Sequence, residues 1–123
     1  MQTNLRSKMR HLVKCGLGIS LTPFQRLLLQ DRLTTFCFHD ATDTPSEFAR
    51  KNNIFVTKNT FIQQVEYIKR HFNVISIDQF IEGEIPTCAA LITFDDGFKS
   101  YFRTAVPILE RNQLPSINFV NMA

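Results

Sequence analysis

The sequence predicts an α/β fold with about four parallel strands joined by crossover helices. Short β-branched and aromatic runs alternate along the chain with stretches of helical periodicity, which is the grammar of a parallel sheet. One run, ALITF (90–94), is apolar without alternation, as expected for a strand covered on both faces. The 123 residues are 44% hydrophobic and include 12 Phe, so a single domain has the side chains to fill a core.

Each element follows from its own pattern. Residues 1–32 read as a basic, partly helical N-terminal arm, and residues 33–123 as the body of the domain. Within the arm, PFQRLLLQDRL (23–33) places Phe24, Leu27 and Leu28 at helical spacing behind an early proline. That predicts a short amphipathic helix, packed on the body or lying weakly on a membrane surface. LTTFCFH (33–39) is a strand, with Cys37 read as a small buried hydrophobe, and the polar run 40–53 is a long loop. TFIQQVEYIKRHF (60–72) aligns Phe61, Val65, Ile68 and Phe72 on one helical face, with Thr60 and Gln63 spaced as a capping box. VISI (74–77) follows as a strand, DQFIEG (78–83) as a helical turn stopped by glycine, and then ALITF. Phe98, Phe102, Ala105 and Leu109 repeat at helical spacing around Pro107, which predicts a kink at 103–106. SINFV (116–120) is the last strand, an apolar edge that favours association.

Charge is unevenly distributed. The arm carries six basic side chains (Arg6, Lys8, Arg10, Lys14, Arg26 and Arg32) against Asp31, while the body is mildly acidic under an overall net charge of +3. The body has no basic stripe with interleaved aromatics, so nucleic-acid binding is not expected. Cys15, Cys37 and Cys88 are too scattered for a disulfide framework or a zinc knuckle. The apolar run CGLGISL (15–21) is broken by two glycines and makes neither a signal peptide nor a bilayer span, which points to the cytoplasm or the cytoplasmic face of the membrane.

The chemistry concentrates in LITFDDGF (91–98). Two adjacent aspartates at the end of a buried strand repel, and desolvation adds to the cost of ionising both. A divalent cation reverses that balance. Strand ends at the carboxyl edge are also where parallel folds build their sites. By strand alternation one aspartate would face a metal and its neighbour substrate or water, with Gly97 supplying the sharp turn. The plain alternative is a β-turn at Asp96-Gly97 and a helix cap at Asp95.

TFDDGF (93–98), the flanking AVPILERNQLPSINFV (105–120), the upstream TTFCFHD (34–40) and FIQQVEYIKRHFNVISIDQF (61–80) together resemble the polysaccharide deacetylase family, the NodB-homology domain or carbohydrate esterase family 4. The likeness spans most of residues 10–123, and the arm resembles the N-termini of members from bacterial surface-polysaccharide clusters. The resemblance implies a (β/α) barrel, here truncated, and hydrolysis of N-acetyl or O-acetyl groups on an acetylated polysaccharide or oligosaccharide. It implies Asp95 as catalytic general base, Asp96 as a ligand of a divalent metal, zinc above all, and His39 as a residue lining the site or holding a structural hydrogen bond.

One departure is large. The family completes its metal site with an H-x-x-x-H pair, whereas the histidines here are His11, His39 and His71, none at that spacing, and His71 reads as a surface residue. Catalytic zinc takes three protein ligands and a (β/α) barrel on the order of 200 residues or more, so an incomplete, inactive deacetylase fragment is expected. Two other classes compete: a non-catalytic interaction module, and a haloacid-dehalogenase-like phosphatase, whose D-x-D spacing differs from the D-D-G found here.

Overall fold

The computed structural model describes residues 11–14 and 23–122. Its centre is β6 (Ala89–Phe94), to which every other strand of the main sheet connects directly or through one neighbour. On one edge β6 pairs in parallel with β2 (Thr34–Phe38), which in turn pairs in parallel with β1 (His11–Lys14). Away from β2, β6 accepts two short strands in succession. β5 (Asn73–Val74) lies along Ala89 and Ala90, and β7 (Ile117–Asn118) lies along Thr93 and Phe94, both parallel. A parallel two-stranded ribbon, β3 (Asp40–Ala41) with β4 (Phe55–Val56), extends beyond the end of β2.

A strand forms at or beside each of the four places expected from sequence, with α/β character and parallel pairing, and the sheet is open among the described residues; of VISI only Val74 is in a strand, because Ser76 caps the helix that begins at Ile77. β1 was not foreseen: its HLVK sequence sits in the basic arm, yet it pairs with β2 from His11 opposite Thr34 to Lys14 opposite Cys37. The CGLGISL run lies outside the described residues. No helix among the described residues is long and apolar enough to cross a membrane.

Alternation along β2 determines which side of the sheet becomes the core. Phe36 and Phe38 point to one face, joined there by Ala90, Ile92 and Phe94 of β6. α3 (Lys58–His71) covers that face with Phe61, Val65 and Ile68, followed by Phe72 just beyond its end, as the periodicity predicts. The cap differs from expectation. Thr57, not Thr60, is the N-cap, accepting from the Thr60 amide, and the helix therefore begins three residues earlier. The aromatic cluster is close: Phe38 lies 5.0 Å from Phe61 in edge contact and 5.4 Å from Phe94 in a stack, with Tyr101 4.9 Å from Phe94. Fully burying each such ring contributes roughly 1.5–3 kcal/mol.

The second helical layer explains one misplaced residue. Tyr101–Ala105 forms a π-helical turn, in which the Val106 amide donates to Tyr101 O, and it runs into α5 (Val106–Arg111). The turn falls where the Pro107 kink was expected, since proline has no amide to donate and its ring crowds the carbonyl four residues back. The wider turn changes the helical phase. Tyr101 faces the core, Phe102 is 66% exposed, and Ala105, Ile108 and Leu109 are buried. Phe102, expected in the core, is thus on the surface.

The polar run after β2 is not a bare loop. It contains β3 and a short α2 (Glu47–Lys51) capped by Ser46, and β4 follows just after the run. α4 (Ile77–Glu82) carries the capping box, Ser76 with Gln79, and ends at Gly83 in the left-handed region, φ 78°. α1 (Pro23–Leu29) buries Leu29 in the core and leaves Phe24, Leu27 and Leu28 exposed, so those three do not pack on the body.

Candidate active site

The site forms where β2 and β6 end side by side. The Asp95 amide donates to Phe38 O at 2.9 Å, so the two strands stay paired up to the first aspartate. Beyond that point Asp96 and Gly97 both take positive φ, 69° and 62°. Two left-handed residues in sequence break the strand alternation that sequence reasoning extended through the pair. The carboxylates consequently converge: Asp95 Oδ2 lies 4.0 Å and Asp96 Oδ2 3.9 Å from His39 Nε2. They are also wetter than a buried strand end suggests, at 41% and 40% side-chain exposure, so water shares in offsetting their mutual repulsion.

The surrounding chain holds this geometry from both sides. Asn121 donates from Nδ2 to Asp96 Oδ1 at 3.2 Å. A Cβ on Gly97 would lie 3.1 Å from Val120 Cγ1, so glycine serves both the backbone conformation and the close approach of the segment after β7.

Asp95 opens onto a groove of about 440 Å³ along the face of the sheet opposite α3 and α5. Thr35 and Cys37 of β2, Leu91 and Thr93 of β6, and Phe80 of α4 line it. Cys37 is therefore not the buried hydrophobe of the sequence reading. It is half-buried on the groove side, its Sγ donating to Asp95 Oδ2 at 3.1 Å. Burial first, and then that carboxylate, push the Cys37 thiol up to about 11, which keeps it protonated and able to donate. The alternation in TTFCFH carries the signal that reveals this, because Thr35, Cys37 and His39 share the face opposite Phe36 and Phe38. His71 lies far along α3 with its ring 4.4 Å from Tyr67.

A divalent metal is implied by the resemblance. Among the described residues no group of three His, Cys, Asp or Glu side chains converges to hold one, and zinc in catalytic sites takes three protein ligands. The described residues do not make a zinc site by themselves.

No family model matches the chain, and no curated protein matches it. Solved structures do. A de-N-acetylase from Aggregatibacter actinomycetemcomitans superposes with TM-score 0.60 at 21% identity over 70% of this chain and 36% of that one. IcaB from Ammonifex degensii gives TM-score 0.58 at 26% identity over 72% and 37%, and the Streptococcus pyogenes deacetylase PplD, solved with acetate, 0.60 at 23% over 70% and 41%. The chain has the polysaccharide deacetylase fold over part of its length. It spans well under half of each of these deacetylase structures.

Proposed function

We propose that this chain contributes the aspartate pair of a polysaccharide deacetylase, a metal-dependent hydrolase that removes N-acetyl or O-acetyl groups from a glycan. The observation that carries the reading is the placement of Asp95 and Asp96 at the carboxyl end of the central strand of a deacetylase-type sheet, beside a groove. In this reading the sheet is a segment of a (β/α) barrel, and its groove face is the inner side. In this reading α3 and α5 lie on the outer face of the barrel wall and alternate side chains of β2 and β6 face inward, with Phe80 of α4 reaching the groove.

Asp95 is the general base. Its carboxylate takes a proton from the attacking water as the water oxygen bonds to the acetyl carbonyl carbon; that proton then passes to the nitrogen as the carbon–nitrogen bond breaks, giving acetate and a free amine. The Cys37 thiol orients the carboxylate at Oδ2, and His39 Nε2 lies 4.0 Å from the same oxygen. Asp96 is the carboxylate that a divalent metal, zinc above all, would take as one ligand, with Asn121 fixing its other oxygen. The metal would polarise the acetyl carbonyl, and its remaining ligands would come from residues other than those described.

The shortage of ligands favours a second reading, a non-catalytic interaction module that keeps the fold. Acetate release from acetylated glucosamine oligomers with Zn²⁺ separates the two. Release that falls about 10²–10⁴-fold in Asp95→Asn supports the hydrolase. Release unaffected by that substitution overturns the role of Asp95, and no release from the wild-type protein moves the chain to the second reading.

A further inference from the structure

The Asp40 carboxylate is only 5% exposed and takes no part in the chemistry just described. Ser100 Oγ donates to its Oδ1 and accepts from the Ala41 amide at 3.2 Å, so one hydroxyl joins both the side chain and the backbone of β3. The Asp40 amide in turn donates to Ile54 O, anchoring the residue in the β3–β4 ribbon. A half-made arrangement of this kind is costly, because a buried carboxylate that loses its donor bears the full desolvation penalty.

The position of this tie in the chain is what matters. Phe38 to Ala41 carries His39, and Phe94 to Ser100 carries Asp95 and Asp96. The two segments are joined before the site by the Asp95 amide to Phe38 O, and beyond it by Ser100, which bonds both the Asp40 carboxylate and the Ala41 amide. His39, Asp95 and Asp96 lie in the span between. The first tie fixes only the start of the Asp96-Gly97 turn against β2; Asn121 holds Asp96 from the side of β7, and the second tie closes the span against the segment that carries His39.

We propose that Asp40 and Ser100 are a positioning pair that holds the His39 imidazole against the Asp95 and Asp96 carboxylates. The functional weight of that geometry rests on the deacetylase reading, but the geometry itself does not. The pair touches no substrate and acts only through the residues it brackets.

The test is nuclear Overhauser contact between the His39 ring protons and the Asp96 β-protons in the whole chain, for wild type, Ser100→Ala and Ser100→Thr, with a thermal melt of each. The expected result is loss of the contact in Ser100→Ala with cooperative melting retained, and its return in Ser100→Thr, which keeps the hydroxyl. A contact of wild-type intensity in a folded Ser100→Ala overturns the pair. Asp40→Asn is the companion variant, and if it does not fold, the Ser100 series decides alone. Where the protein releases acetate, Ser100→Ala lowers kcat and leaves KM unchanged, so a failed deacetylase reading and a failed positioning pair give different results.

Discussion

The two faces of the main sheet are built from alternate residues of the same strands, yet they do different work. The face under α3 and α5 is filled with Phe36, Phe38, Ile92 and Phe94, all nearly inaccessible. The groove face carries Thr35, Cys37 and Asp95, each partly exposed, beside a smaller buried cluster of Leu33, Ile75, Ala89 and Leu91. β2, with Phe36 and Phe38 buried on one side and Thr35 and Cys37 partly exposed on the other, stabilises the fold through one set of side chains and leaves the other set free for chemistry. The aromatic stack behind Asp95 makes the arrangement rigid, since Phe94 is the residue immediately before it.

Substitutions that break this division should differ widely in size. Phe94→Ala removes the ring shared by Phe38, Phe61 and Tyr101 and should cost about 3–5 kcal/mol, read as a lower urea midpoint. Gly97→Ala places a side chain in the left-handed region and against Val120; the backbone strain alone should cost about 1–2 kcal/mol, with a measurable loss of the Asp96–Asn121 contact.

A pH series sharpens the comparison on the groove face. The folded Cys37 thiol keeps its proton up to about 11, against 9.0 for an ordinary thiol, so its contribution to stability is complete below pH 9.0 and is lost as pH rises towards 11. The wild-type urea midpoint should therefore fall over that window more than the midpoint of Cys37→Ser, and equal falls would refute the shift. Partial exposure of Cys37 to water keeps the difference small. The smallest effect is expected at Phe119, which is 55% exposed on the groove side: Phe119→Ser should change stability by less than about 0.5 kcal/mol.

Much of the core face was legible in the sequence because its signals are long. The fourteen residues of α3 display Phe61, Val65 and Ile68 in phase, with Phe72 just beyond its end, and ALITF is continuous enough to fix a buried strand. Short elements gave no such signal: β3 and β4 are two residues each, below any period, although Ser46 before Glu47 could have marked the start of α2. Phe102 was misplaced because extrapolating a 3.6-residue period cannot register a π turn. For the site, the positions of Asp95 and Asp96 followed from strand order. Their convergence on His39 did not, since it depends on two consecutive positive φ angles that the residue types permit but do not dictate. Asp40 looked like an ordinary turn former, and only its burial against Ser100 distinguishes it.

The sharing of β6 among three partners has a consequence for how the chain folds. β5 returns to it through the shortest loop, from Asn73 to Ala89; β7 comes next, from Thr93 to Ile117; and β2 must wait for the longest closure, from Thr34 to Ala90. Loop-closure entropy rises with the length enclosed, so the order of docking on β6 should run β5, β7, β2. His39 arrives with the last of these strands. During refolding, backbone protection should therefore appear on β5 and β7 while the imidazole is still far from the aspartates, and the site would take shape only after that half of the sheet.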